Sequence, residues 1–419
     1  MFYREAGDFS TTYPEDSQTF PIKFDRYRYY FVLFVAAVVI PLLANDYWVS
    51  AIFLPFLIYA IAAIGLNILT GYCGQVSLGT GGFMAVGAYA CYKLMTAFPD
   101  VSMLIHVLIA GLITAGVGVL FGLPSLRIKG FYLAVATLAA QFFLVWLFNR
   151  VSWFYNYSAS GQINAPEREV FGVIITGPNS SAWAEYMFCL FFVVLSAVIA
   201  RNLTRGSFGR KWMAIRDMDI AAEIIGVNPL ASKLSAFAVS SFFIGISGAL
   251  FFSVYLGAVE VGEAFGIQKS FIVLFMIIIG GLGSIFGAFA GAAFLVVLPV
   301  LLKIMLADSD GDISTLQYAF GYVFLAALLV SFVMMLRAAI FKRGVPDNGM
   351  VGWIFAMIAA FIAYTITIGG MGWPTDIVAH LQLVIVGALI IIFLIAEPHG
   401  IAQLWRVAKE KLRLWPFPH

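Results

Sequence analysis

Apolar residues run along this chain in stretches of about 20, divided by short polar connections. A helix rises about 1.5 Å per residue, so about 20 apolar residues match the roughly 30 Å hydrocarbon layer of a bilayer. Runs of this kind fall at 28–45, 47–69, 76–97, 101–123, 131–149, 183–200, 234–257, 270–280, 285–304, 317–337, 350–370 and 377–396. The pair 270–280 and 285–304 is joined by Gly-Gly-Leu-Gly and reads as one glycine-broken unit that crosses twice. The pattern predicts an all-α, polytopic integral membrane protein with about 10–12 transmembrane helices.

Glycine sits inside two of these runs, 71-GYCGQVSLGTGGFMAVGAYA-90 and 280-GGLGSIFGAFAGAA-293. Two readings compete. Small residues at GxxxG-like spacing, as at Gly283, Gly287 and Gly291, let helices pack with their backbones close. Alternatively, the backbone is broken or re-entrant, which a membrane tolerates only where protein or a water-filled cavity covers it. Packing is the preferred reading for 280–293. For 71–90 the broken reading is preferred, because Gln75, Ser77 and Thr80 add polar side chains that lipid disfavours.

Composition agrees: 62% of the 419 residues are hydrophobic and 11% charged, far from the balance of a soluble chain. The first 27 residues are polar and lack the basic flank and short apolar core of a signal peptide, so the first span is expected to stay in the mature protein. If the N-terminus is cytoplasmic and the spans alternate, 19 of the 24 Lys and Arg fall inside and five (Lys93, Arg150, Arg168, Lys269, Lys303) outside. That asymmetry follows the positive-inside rule and predicts both termini inside. Ile401, Leu404, Trp405, Ala408 and Leu412 share one helical face of the tail, flanked by Arg406, Lys409 and Arg413. The tail is therefore expected to be an amphipathic helix lying on inner-leaflet lipid.

Chemistry is sparse. The three cysteines, Cys73, Cys91 and Cys189, show neither CxxC nor metal-ligand spacing. The stretch 262-GEAFGIQKS-270 has the wrong spacing for a phosphate-binding loop and lies on the predicted outer side. No carboxylate falls in mid-span to carry a coupling ion, His106, His380, His399 and His419 are scattered, and no nucleophile sits beside a base. No enzyme activity, metal or cofactor is expected of this chain, and nucleic acid is not an expected partner. An ion-coupled carrier or channel, active by itself, is the rival reading from another class.

One inner connection concentrates charge. Within 212-WMAIRDMDIAAEIIGVNPLASKLSAF-237, residues 220–226 read as a short helix ended by Gly226 and Pro229. Small Ala221 and Ala222 would let a partner's groove close on its backbone, while Arg216, Asp217 and Glu223 offer polar fixing points. The plainer reading is a solvated connector held by lipid headgroups. For the route through the bilayer, neutral hydrogen-bonding groups are the candidates: Asn67, Gln75, Ser77, Thr80, Thr137 and Gln141. Each can instead satisfy neighbouring backbone.

The run 209-GRKWMAIRDMDIAAEIIGVNPLASKLSAFAVSSFFIGISGAL-250 resembles the signature of LivM-type permease subunits of branched-chain amino acid ABC importers. Three further segments agree in order: 66-LNILTGYCGQVSLG-79, 126-LRIKGFYLAVATLA-139 and 280-GGLGSIFGAFAGA-292; the ending 397-EPHGIAQLW-405 is also similar. The resemblance implies a bacterial inner-membrane permease subunit carrying branched-chain or other hydrophobic amino acids. Permeases for urea, short amides and aromatic carboxylates are close alternatives. It also implies a second, homologous permease subunit, two cytoplasmic ATP-binding subunits that hold the ATP, and a periplasmic solute-binding protein. Arg216, Asp217, Ala221, Ala222, Glu223 and Gly226 take the ATPase-coupling role by the same resemblance. The organisation it suggests is a cytoplasmic segment 1–27, a permease core 28–301 with its coupling loop near 201–233, additional spans in 302–375, and a last helix with basic tail in 376–419.

Overall fold

The computed structural model describes residues 23–125, 132–307 and 400–414, with a few isolated positions besides. The N-terminal polar segment, Arg127 and Lys129, the expected spans 317–337, 350–370 and most of 377–396, and His380, His399 and His419 lie outside the described residues. The chain divides into two compact units, Met1–Val297 with Ile390–His419, and Leu298–Leu389. The elements below belong to the first, apart from the last turns of one helix.

Each expected span up to residue 304 contains a helix. In chain order the principal described helices, α7 and α11 lying outside the expected spans, are α1 (Lys23–Phe34), α2 (Leu54–Asn67), α3 (Thr80–Ala97), α4 (Met103–Ser125), α5 (Tyr132–Arg150), α6 (Ala182–Arg205), α7 (Ser207–Ile224), α8 (Pro229–Leu250), α9 (Ile267–Gly280), α10 (Ile285–Ala307) and α11 (Gly400–Leu414). Wider π-helical turns lengthen three of them: Val35–Val39 after α1, Val49–Phe53 and Ile68–Tyr72 on either side of α2, and Phe251–Leu256 after α8. Six continuous helical stretches among the described residues are long and apolar enough to cross a membrane, the longest being Asp46–Tyr72 and Pro229–Leu256.

The hub of the bundle is α8, packed against α2, α3 and α4. Its sequence explains why. Helices in lipid associate through close packing rather than through exclusion of water, so small residues mark their interfaces. Gly245 and Gly248 of α8 lie so close to the backbone of α3 at Gly87 and Met84 that a methyl group at Gly87 or Gly248 would overlap it. Gly118 of α4 faces Ser241, and the Ser247 hydroxyl donates to the Ile58 carbonyl of α2 at 2.8 Å. Glycines 287 and 291 of α10 meet Gly280 and Met276 of α9 in the same way, so the 280–293 segment combines helix packing with a turn. In that turn Gly281 and Gly283 both have positive φ.

Two short antiparallel ladders lie in the connections of the predicted outer side. Strand β1 (Ile163–Asn164) pairs with β4 (Ala258–Val259) and ties the α5–α6 connection to the α8–α9 connection. Strands β2 (Arg168–Val170) and β3 (Val173–Thr176) form a hairpin.

Candidate translocation and coupling site

Residues 71–79 are where the membrane core departs from helix. The span expected at 76–97 begins only at Thr80, and Cys73–Gly79 has no regular structure. The first amides of a helix have no partner within it, and Gly79 supplies no side-chain cap to α3. Other helices do so instead. The Ser270 hydroxyl of α9 accepts from Gly81 N at 2.8 Å, Gln141 Oε1 of α5 accepts from Gly82 N, and Thr137 Oγ1 accepts from Leu78 N at 3.0 Å. Gln141 Nε2 donates onward to the Phe265 carbonyl at 2.7 Å, just ahead of α9, and Ser270 Oγ donates to Gln141 Oε1 at 3.0 Å. Gln141 thus joins the start of one helix to the approach of another. All of these residues but half-buried Leu78 are buried, where an unpaired amide costs about 1–3 kcal/mol.

The remaining polar candidates behave differently. Thr80 is fully buried and its hydroxyl has no hydrogen-bond partner. Buried Ser77 accepts from Gly79 N at 3.4 Å, and Gln75 is half-buried. Asn67, at the end of α2, is spent on backbone: its Oδ1 accepts from Gly283 N at 2.9 Å and its Nδ2 donates to the Ser284 carbonyl at 2.7 Å. It clamps the π turn before the broken segment to the α9–α10 turn. Gly71 lies inside this clamp, where a methyl group would overlap both Asn67 Oδ1 and Gly283 N.

The coupling connection reaches the same clamp. Trp212 of α7 is buried and donates from Nε1 to Ser235 Oγ of α8 at 2.9 Å, which anchors the helix. One turn on, Arg216 Nη1 donates to the Gly71 carbonyl at 3.0 Å, while its Nε and Nη2 hold Asp217 Oδ1 at 2.9 Å. The helix then breaks at Met218 (φ −162°, ψ 96°), and Asp219 pairs with Lys233 at 3.7 Å. Beyond the break the chain forms the expected short helix. Gly226, at φ +90°, ends it, and the Asn228 side chain caps α8 at Ala231 N with Pro229 in its first turn.

The structure redistributes the coupling candidates. Ala221, Glu223 and Gly226 are exposed, whereas Ala222 is 2% exposed and turned into the protein. Exposed apolar side chains that the sequence reading left out, Met218, Ile220, Ile224 and Ile225, cover the tip, with Ile224 at 81% and Ile225 at 76% exposure. Their signal was legible: an isoleucine pair beside a helix-ending glycine in a short connection outside the spans has no core to join. Ser270 was likewise missed, although a small hydroxyl near the start of an apolar helix is a usual partner for a neighbouring broken end. Lys269, the lysine of the false phosphate-loop match, donates to the Tyr59 hydroxyl at 2.9 Å and lies over the Phe251 ring.

Apolar helices of membrane-spanning length, a broken helix closed by side chains from its neighbours, and a polar connector reaching that break together define a multi-pass integral membrane protein. The family model described as branched-chain amino acid transport system, permease component, matches residues 48–336, and the chain belongs to that family. The match extends past residue 301, into the segment expected to add spans. Among curated relatives, the chain is 33% identical over 267 residues to the high-affinity branched-chain amino acid transport system permease protein LivM of Escherichia coli, and 32% identical over 267 residues to its namesake in Salmonella typhimurium. Each alignment takes in 59% of this chain and 62% of the relative. A probable LivM permease of Methanocaldococcus jannaschii is 24% identical over 328 residues, 69% of this chain and 90% of the relative. No solved structure matches.

Proposed function

We propose that this chain is one permease subunit of an ATP-driven importer for branched-chain or other hydrophobic amino acids. It works beside a second, homologous permease subunit, two cytoplasmic ATP-binding subunits and a soluble solute-binding protein. The chain has no catalytic role of its own, and the nucleotide is held and hydrolysed by the partner subunits. The names of these relatives support the cargo, and the bond from Arg216 to the Gly71 carbonyl supports the coupling.

That bond gives a route for mechanical work. The exposed apolar tip at Met218, Ile220, Ile224 and Ile225 seats in a groove of the ATPase, with Asp217 and Glu223 beside it. When the groove moves, α7 tilts about its Trp212–Ser235 anchor, and Arg216 draws on the end of the π turn at Gly71. A charge-assisted hydrogen bond of this kind contributes about 1.5–3 kcal/mol, enough to bias a two-state segment severalfold or more. The segment that shifts is 73–79. Gln75, Ser77 and Thr80 offer neutral donors and acceptors to a solute passing there, while Asn67, Thr137 and Gln141 border the route and hold its walls. A path of neutral groups passes a zwitterion without trapping it, which leaves the choice of cargo to the solute-binding protein.

The test is reconstitution in vesicles. Uptake of leucine is expected only when the ATP-binding subunits, ATP and the solute-binding protein are all present. Accumulation by this chain alone under an ion gradient would instead establish the secondary-carrier reading.

A further inference from the structure

The β2–β3 hairpin breaks a local rule that folding alone does not explain. Its ladder pairs Val170 with Val173, which leaves Phe171-Gly172 as a two-residue turn. Both residues have positive φ, 53° and 80°. This is the type I′ region, where Asn-Gly or Gly-Gly is the local optimum. A bulky aromatic in left-handed backbone is an outlier. Phe171 gains no packing in return, since it is 95% exposed. Strain with no return inside the chain points to a use outside it.

The charges around the ring indicate what that use is. The hairpin and the turn at 99–102 enclose a cleft of about 520 Å³, whose lining includes Asp100, Ser102, Glu167, Arg168, Glu169 and Phe171. The neighbouring cation is turned inward: Arg168 Nη1 donates to the Pro99 carbonyl at 3.0 Å, and Nη2 donates to the Met95 carbonyl. Asp100, Glu167 and Glu169 stay exposed. The ring therefore projects from an acidic field. Lipid headgroups, themselves anionic at their phosphates, suit this poorly. A soluble protein with an apolar pocket ringed by Lys and Arg suits it well, because complementary charge steers the encounter and the buried ring holds it.

We propose that the Phe171 hairpin is the docking point for the soluble solute-binding protein. The ring fills an apolar pocket on that protein, and Asp100, Glu167 and Glu169 pair with basic residues at the pocket's rim. The proposal rests on the reading above that such a protein delivers the cargo. The hairpin lies in the connection that the charge asymmetry places outside, opposite the face of the Ile224 tip.

The test titrates purified solute-binding protein against the complete importer in vesicles. Phe171→Asn installs a residue the turn favours, so the hairpin persists and only the ring is lost. The concentration of binding protein giving half-maximal uptake is expected to rise about tenfold or more, the loss typical of a buried aromatic anchor. Uptake at saturating binding protein and ATP hydrolysis without it should stay at wild-type levels. Glu169→Lys is expected to raise the same half-saturation and to flatten its dependence on salt. Half-saturation unchanged in Phe171→Asn overturns the proposal, as does release of the paired permease from the complex, which would assign the ring to subunit pairing. If binding protein fails to stimulate even the wild type, the functional reading itself falls, a result distinct from failure of the hairpin alone.

Discussion

At the scale of single residues, the site is a set of exact backbone appointments. Arg216 makes one bond to Gly71 and two to Asp217 through a planar, three-nitrogen head. An ammonium keeps the charge and loses that fork. Arg216→Lys is therefore expected to preserve assembly and ATP hydrolysis while lowering solute moved per ATP by about tenfold, the equivalent of one charge-assisted bond. Paired uptake and phosphate-release assays measure that ratio. Gly71 tests the clamp from the other side. Gly71→Ala would force a methyl group onto Asn67 and Gly283 and should cost about 1–3 kcal/mol, as overpacking does. Gly116 of α4 is its control, because nothing lies within 4 Å of a methyl group there. Gly116→Ala should stabilise by up to about 1 kcal/mol through helix propensity. Thermal unfolding in detergent separates the two signs.

At the scale of elements, the proposed coupling makes α7 a lever with distinct ends: buried Trp212 as the anchor, Arg216 as the linkage and Ile224-Ile225 as the tip. Ile224→Asp with Ile225→Asp should leave the permease folded, since both side chains face solvent, and should weaken co-purification of the ATP-binding subunits by about tenfold or more. Ala222→Leu is expected to act by another route, lowering permease stability, because its site is closed. The C-terminal helix α11 packs on α9 beside the same α9–α10 turn. Gly400, at φ +73°, has room for no side chain: a methyl group would lie 2.6 Å from Gly281 N and Ile279 O. The Trp405 ring stacks on Phe286 with centroids 5.8 Å apart. Trp405→Ala should loosen the turn that Asn67 clamps, read as faster amide exchange at residues 281–284.

At the scale of the whole molecule, hydropathy already dictated where the described helices up to residue 304 lie. Each apolar run up to residue 304 became helix because lipid leaves the backbone no other way to satisfy itself within one segment. The charge asymmetry predicts that a cysteine at position 224 reacts with impermeant reagent only from the cytoplasmic side, and one at position 171 only from the opposite side. Labelling of sealed vesicles of known orientation checks both.

Legibility in the sequence was uneven, and the unevenness has a physical pattern. The break at 71–79 and the short helix ending at Gly226 were readable because their causes lie within a few residues. Ala222 was misjudged for a related reason: its size suggested an open face, but only the fold decides which side of a short helix is covered. The polar residues of the spans were recognised as important without their division of labour. Asn67 finds Gly283 and Ser284 across more than 200 residues, Gln141 finds Gly82 and Phe265 on two other segments, and Thr80 finds no partner at all. By itself, then, the sequence determined that the chain spans a membrane, where it is helical and where it breaks, because lipid tests each segment separately. Only the tertiary structure decided which polar groups close the breaks and which stay open, because a hydrogen bond in hydrocarbon goes to whichever partner the packing of small residues brings within 3 Å.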